Sequence, residues 1–217
     1  SDLGKRFESE YRGAGVDLSH CIPCDGRIAL YFMEPGNSPL PAKVTYDRLH
    51  TAFREITPET FDWNALLDTE VLFVTGITAA LTESTAATVT YAVEEAARRG
   101  VKVALDVNYR GLLWSQERAR EVLEPLLDKV SILFCSRLDG IKVLGMEGDG
   151  PTVNRTIQEK YGLDHVVSTD SIAGVYYSGI QGHEVYPVES VPVVDRTGAG
   201  DAFVAGTLHG YLAGDVL

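Results

Sequence analysis

The run Asp195-Arg196-Thr197-Gly198-Ala199-Gly200-Asp201-Ala202-Phe203 is the part of this 217-residue chain best equipped for chemistry. Two glycines and an alanine let a backbone come close to an anion. A helix pattern opens at about Asp201, so loop N–H groups and the positive end of a helix dipole converge on one spot. A carboxylate at an anion site is costly unless it has a use. Asp201 could take the proton from an attacking hydroxyl while Gly198, Ala199 and Gly200 hold the oxyanion of a transferring group. The plainer alternative is a glycine-rich turn with an ordinary first-turn aspartate. The spacing is neither G-x-x-x-x-G-K-[ST] nor G-x-G-x-x-G, because Phe203 stands where the third glycine would.

Two further groups carry polar side chains at informative spacing. In Asp106-Val107-Asn108-Tyr109-Arg110-Gly111-Leu112-Leu113-Trp114, Asn108 offers donors and an acceptor, and Arg110 a planar fork suited to a carboxylate or phosphate. A solvated loop with Trp114 in the core fits the spacing equally well. In Tyr46-Asp47-Arg48, a Tyr and an Arg two apart on a strand share a side. Cys21-Ile22-Pro23-Cys24 has the outline of a redox pair, but strand-like residues rather than a helix follow it, and the chain's other His and Cys stand at no ligand spacing. Cys135 reads as core.

The elements that must position these groups follow from periodicity. Residues 2–12 read as a helix with Leu3, Phe7 and Tyr11 on one stripe. Residues 27–33 and 42–47 read as two strands joined by a turn-rich segment. From residue 70 strands and helices alternate: a buried strand at 71–75, a helix at 82–99 capped by Thr82, a strand at 102–107, a helix from Ser115 to about 129. A strand at 130–135, a short helix at 136–144, a helix at 151–161 and a strand at 165–169 complete the alternation, which indicates a parallel sheet with helices on both faces. Val175–Tyr177 and His183–Tyr186 read as an antiparallel hairpin, and 191–194 as an extended lead into Asp195. In such sheets ligands sit beyond the carboxyl ends of the strands.

A net charge of −12 argues against a nucleic-acid partner, and no apolar run approaches a membrane span. No apolar stretch follows Ser1–Lys5 as a signal peptide requires, and three cysteines give no disulfide framework. The expectation is a cytoplasmic protein. Both ends read as abrupt, which suggests a chain truncated at each.

Asp-x-Thr-Gly-Ala-Gly-Asp-x-Phe over 195–203 resembles the C-terminal signature of the ribokinase-like (PfkB-type) carbohydrate kinases, and the likeness extends over nearly the whole chain. The resemblance implies one incomplete kinase domain over residues 1–217, of three-layer α/β fold. Its mostly parallel central sheet would be flanked by helices, with a small β lid within about residues 19–49. It implies Asp201 as catalytic base, Gly198-Ala199-Gly200 as anion hole, and Asp195 near the substrate and the Mg²⁺ network. Arg196 replaces the small residue usual there.

Within that family, residues 106–114 resemble the Asp-x-Asn-x-Arg-x-x-Leu-Trp of the 2-keto-3-deoxygluconate kinases. There the Arg contacts a keto-acid and the stretch borders the triphosphate, which implies substrate contact for Arg110 and nucleotide contact for Asn108 and Arg110. Tyr46, Arg48 and Tyr31 resemble the substrate-gripping residues of the same lid, through which two copies could also associate. The implied reaction is Mg²⁺- and ATP-dependent phosphorylation of a sugar acid hydroxyl, 2-keto-3-deoxygluconate to its 6-phosphate. Another sugar such as fructose or a related deoxy-gluconate, or a non-catalytic sugar-acid-binding relative, are the alternatives.

Two stretches depart from the family pattern. Asn-x-x-Glu becomes Ser136-Arg137-Leu138-Asp139, with Ser136 keeping a polar group near the nucleotide, Asp139 an acid that would reach Mg²⁺ through water, and Gly140 out of place in a helix start. Lys-x-Gly-x-x-Gly becomes Thr169-Asp170-Ser171-Ile172-Ala173-Gly174, keeping only Gly174 on the nucleotide side. Asp170 beside a triphosphate is electrostatically unfavourable. The family's N-terminal strand with its sugar-binding glycine turn, and helices after Leu217, lie outside the resemblance.

Overall fold

The computed structural model describes residues 1–34, 36, 43–192 and 197–215. The first helix, α1 (Asp2–Gly13), is capped by Ser1, whose hydroxyl accepts the Gly4 N–H. Its stripe of Leu3, Phe7 and Tyr11 is exposed. An irregular segment leads to β1 (Leu30–Glu34) and β2 (Lys43–Asp47), paired antiparallel with Tyr31 beside Tyr46. The first lid strand therefore begins at Leu30 rather than at residue 27. Arg27 instead bridges to Thr51 and forms an ion pair with Asp47.

Short 3₁₀ turns and α2 (Trp63–Leu66) lead to β3 (Val71–Thr75) and α3 (Gly76–Ala79), one turn that periodicity does not signal. Then come α4 (Glu83–Arg98) and β4 (Lys102–Asp106). The start of α4 is fixed by a reciprocal cap: the Thr85 N–H donates to Thr82 Oγ1 at 3.2 Å, and the Thr82 N–H to Thr85 Oγ1 at 3.0 Å. Next is α5 (Gln116–Leu123), which gives way to a 3₁₀ stretch over Glu124–Lys129. Pro125 has no N–H for the α-helical ladder, so the single predicted helix to 129 changes character there.

The chain continues through β5 (Ile132–Phe134), α6 (Arg137–Lys142), α7 (Gly150–Tyr161), β6 (His165–Thr169), β7 (Val175–Gly179) and β8 (Gly182–Tyr186) to α8 (Ala199–Ala213). The sheet order is β3-β4-β5-β6-β7-β8, with β3 to β6 parallel and the last two pairings antiparallel. This is the mostly parallel sheet that the alternation predicts.

Strand parity divides the core. Val103, Leu105, Leu133 and Val166 point to the side of α4, α5 and α7, where Val89, Val93, Ala119, Leu123, Val153 and Ile157 close a large apolar cluster. Ala104, Ile132, Phe134, Val167 and Tyr177 point the other way, against Val204, Phe203, Leu208 and Tyr211 of α8. Helices thus cover both faces. β3 is an edge strand and only half-buried, with Phe73 exposed, where a buried strand was expected.

Gly140, unexpected in a helix start, has a packing reason. It is buried, and a Cβ there would meet Val153 Cγ1 at 2.7 Å and Ile157 Cδ1 at 3.1 Å. The bare backbone lets α6 lie directly on α7.

Candidate active site

Parity also sets the site. Asp106 ends β4 two residues after Ala104, so it shares the α8 side of the sheet. The first turn of α8 holds Asp201 at the same edge. Asp106 therefore senses two other carboxylates, Asp139 and Asp201. Burial pushes its pKa up to about 6, and both neighbouring charges add to the shift, against the Asn108 N–H and the Arg110 guanidinium. Burial also raises Asp139, against hydrogen bonds from Ser136 and the Tyr109 N–H and the charges of Arg110 and Lys142. Three carboxylates and one exposed arginine thus meet where β4, β5 and α8 converge. Such an edge repels a bare triphosphate and attracts one that brings cations.

Asn108 sits just past β4 at φ 39°, a left-handed conformation that Asn tolerates better than most residues. Its N–H donates to Asp106 Oδ1 at 3.2 Å and its Nδ2 to Thr75 Oγ1 at 3.3 Å. Ser136 caps α6, its hydroxyl accepting the Asp139 N–H at 3.1 Å. Cys135 is buried behind these groups, its thiol pKa raised well above the usual value by burial and by the Asp139 and Asp106 charges. It is core, as expected.

At the glycine loop, Gly198 is the residue before α8, with φ 76°. That left-handed backbone suits glycine, which as N-cap has no side chain to offer the helix. Gly200 has open space among the described residues where a Cβ would lie. Residues 197–202 are exposed, Asp201 among them. The helix begins at Ala199, two residues before the predicted start. Asp195, predicted to lie by the substrate, falls outside the described residues, as do Arg196 and the end of the lead-in at 193–194; residues 191 and 192 form no strand.

In the turn at 169–174, expected to face the nucleotide, Gly174 is buried at φ 142° and its carbonyl accepts the Asp170 N–H at 3.0 Å. Ser171, where the family pattern has a glycine, is held at φ 53°. The lid residues form their own group. The Tyr31 and Tyr46 rings lie 6.5 Å apart, and the Arg48 guanidinium stacks 4.2 Å from the Tyr46 ring centre. Among the described residues no hydrogen bond or ion pair ties this group to the strand-end cluster of Asn108, Arg110, Ser136, Asp139 and Asp201. Two shallow hollows among the described residues lie elsewhere, between residues 19–22 and 61–66 and between α4 and α5.

Asp106 is the residue that sequence reasoning passed over. It stood in the quoted motif only as a strand end. Counting strand parity from Ala104 would have put it beside Asp201.

Over residues 1–217 the chain matches the pattern of the pfkB family carbohydrate kinases. It is 34% identical over 217 residues to the 2-dehydro-3-deoxygalactonokinase of Haloferax volcanii, a match covering 99% of this chain and 68% of that protein. It is 30% identical over 218 residues to the 2-dehydro-3-deoxygluconokinase of Thermoproteus tenax, covering 98% and 65%. Its fold superposes on the crystal structure of the 2-dehydro-3-deoxygluconokinase of Thermotoga maritima with a TM-score of 0.92 at 31% identity, over 99% of this chain and 70% of that one. The chain therefore spans about two thirds of the length of these relatives. A family pattern matched over every residue, on a fold this similar, means that the chain belongs to the pfkB family of carbohydrate kinases.

Proposed function

We propose that this protein transfers the γ-phosphoryl group of ATP to a primary hydroxyl of a 2-keto-3-deoxy sugar acid. The observation that carries the reading is the position of Asp201: exposed, third residue of a helix preceded by Gly198, beside a raised-pKa carboxylate pair. Asp201 accepts the proton of the attacking hydroxyl, and the N–H groups of residues 198–200 take up charge on the phosphoryl oxygens. Arg110 and Arg48 supply the positive charge that an acidic substrate requires and a neutral sugar does not. Tyr31 and Tyr46 offer ring faces that exclude water from the transfer. Asp195 belongs with the substrate in this reading.

The residues fit Mg²⁺ in one manner. Among the described residues no three His, Cys, Asp or Glu side chains are grouped to hold a metal alone. Asp106 and Asp139 would contact Mg²⁺ partly through water, in keeping with a hard cation that prefers phosphates and retained waters. Bound there, Mg²⁺ would neutralise phosphate charge.

The relatives named for the galactonate and gluconate acids leave the hydroxyl configuration open within this substrate class. A coupled assay of the full-length protein with ATP and both 2-keto-3-deoxy acids, against fructose and gluconate, tests the reading. Turnover confined to keto-deoxy acids is expected. Binding of a sugar acid without turnover of any substrate would replace the kinase with a sugar-acid-binding protein, the reading that the altered turn at 169–174 favours. The exposed apolar residues of the lid, Tyr31, Phe32 and Met33, suit association of two copies through it.

A further inference from the structure

In the parallel pairing of β5 with β6, Phe134 stands beside Val167. Three places beyond each, Arg137 and Asp170 leave the sheet at the same carboxyl edge. Arg137 Nε lies 3.9 Å from the Asp170 carboxylate, beyond hydrogen-bond length but well within Coulomb range. The guanidinium is anchored elsewhere. Nε and Nη2 both donate to the Gly148 carbonyl, at 3.2 and 3.1 Å. Nη1 makes no hydrogen bond to any described residue. Asp149, the residue that caps α7, is the other carboxylate whose charge reaches it.

The turn at 169–174 carries no basic residue and is closed on itself, with the Asp170 N–H on Gly174 O and the Ala173 N–H on Asp170 O at 2.9 Å. Among the described residues the arginine at its border is Arg137, which is thus oriented by a neutral carbonyl, is part-exposed, and has one nitrogen to spare. A fork held in this way is ready for a phosphate, since little rotamer freedom remains to be lost on binding.

We propose that Arg137 binds the phosphate chain of the nucleoside triphosphate, replacing from α6 the cation that the turn lacks. Asp170 balances the guanidinium in the free protein and competes with phosphate for it. This rests on the kinase reading above and adds to it a nucleotide-affinity residue and an opposing one. The pair also resolves the charge conflict in the sequence: Asp170 faces an arginine as well as the nucleotide.

Calorimetric titration of the full-length protein with Mg-ATP and with adenosine tests this. Arg137→Met is expected to weaken ATP binding roughly 10- to 100-fold, with adenosine changed less than about twofold, because only the phosphate contact is lost. Arg137→Lys, which keeps the charge and loses the fork, is expected to fall between. Asp170→Asn is expected to tighten ATP roughly three- to tenfold by removing the competing charge. Equal losses for ATP and adenosine in Arg137→Met, or no loss of ATP binding, would overturn the proposal. Should Arg137→Met not fold, Asp170→Asn decides: tighter ATP with unchanged adenosine supports it, and unchanged or weaker ATP overturns it. A parent protein that binds ATP but phosphorylates no sugar acid would remove the kinase reading and leave this one testable. Sugar-acid turnover, with ATP affinity indifferent to both substitutions, would do the reverse.

Discussion

Asp106 and Asp201 come to the same edge from different layers of the fold, one at the end of β4 and the other in the first turn of α8, close enough for the second charge to raise the first. The two differ in environment. Asp106 is largely buried, with its pKa pushed up to about 6, whereas Asp201 is exposed on the glycine loop. That division suits one acid to a base's task and the other to a bound cation.

Asp201→Asn should therefore leave the fold intact and abolish most activity. Loss of a general base lowers kcat by about 10²- to 10⁴-fold with little change in KM. Steady-state kinetics together with a thermal melt separate this outcome from misfolding, and activity near the parent level would exclude Asp201 as base.

Arg110 is exposed and makes no hydrogen bond through its side chain to any described residue, while its charge reaches Asp106 and Asp139. Arg110→Met should raise KM for a 2-keto-3-deoxy acid by roughly 10- to 100-fold, the loss of one charge-assisted contact. A neutral sugar, if accepted at all, should be affected much less. Equal effects on acid and neutral substrates would show that Arg110 does not read the carboxylate.

The buried charge at Asp106 has a cost whose sign can be worked out. Its folded pKa of about 6 lies above the usual 3.8, so the folded state holds the proton more tightly than the unfolded chain. The stability this gives is complete below the unfolded value and is lost as pH rises from there through about 6. Near neutral pH Asp106→Asn should stabilise the ligand-free protein by on the order of 2 kcal/mol, and the gain should vanish in acid. Urea unfolding at both pH values checks it, as does Mg²⁺ with ATP, which should raise the melting temperature of the parent more than that of the variant.

Ser171 is exposed and held at φ 53°. A left-handed conformation costs a non-glycine residue about 1 kcal/mol, and Ser171→Gly should recover roughly half to all of it, less the added freedom of glycine in the unfolded chain. A rise in the urea midpoint with an unchanged slope is the expected result, and a fall would show that the hydroxyl has a role in the turn.

The alternation of strand and helix from residue 70 was legible because buried parallel strands and amphipathic helices have distinct periods, and caps such as Thr82 and Ser115 mark helix starts chemically. The glycine loop was legible because its residue types have few other uses. Other features depended on contacts between elements distant in sequence. Gly140 looked misplaced until α7 was seen lying on it. Asp106 looked like a strand terminus until α8 brought Asp201 to the same side. Arg137 gave no local signal, because its partners Gly148 and Asp170 come from two later segments.

Among the described residues of α8, Val204 is buried and Phe203, Leu208 and Tyr211 partly so. Through these side chains α8 rests on the α8-facing side of β4 to β7. The loop that would grip the phosphoryl group is the leading end of that helix, so ligand occupancy and helix docking share one equilibrium. Amide exchange along residues 199–213 should then slow when nucleotide and sugar acid are bound together, while the amides of β4 and β5 keep the protection they already have.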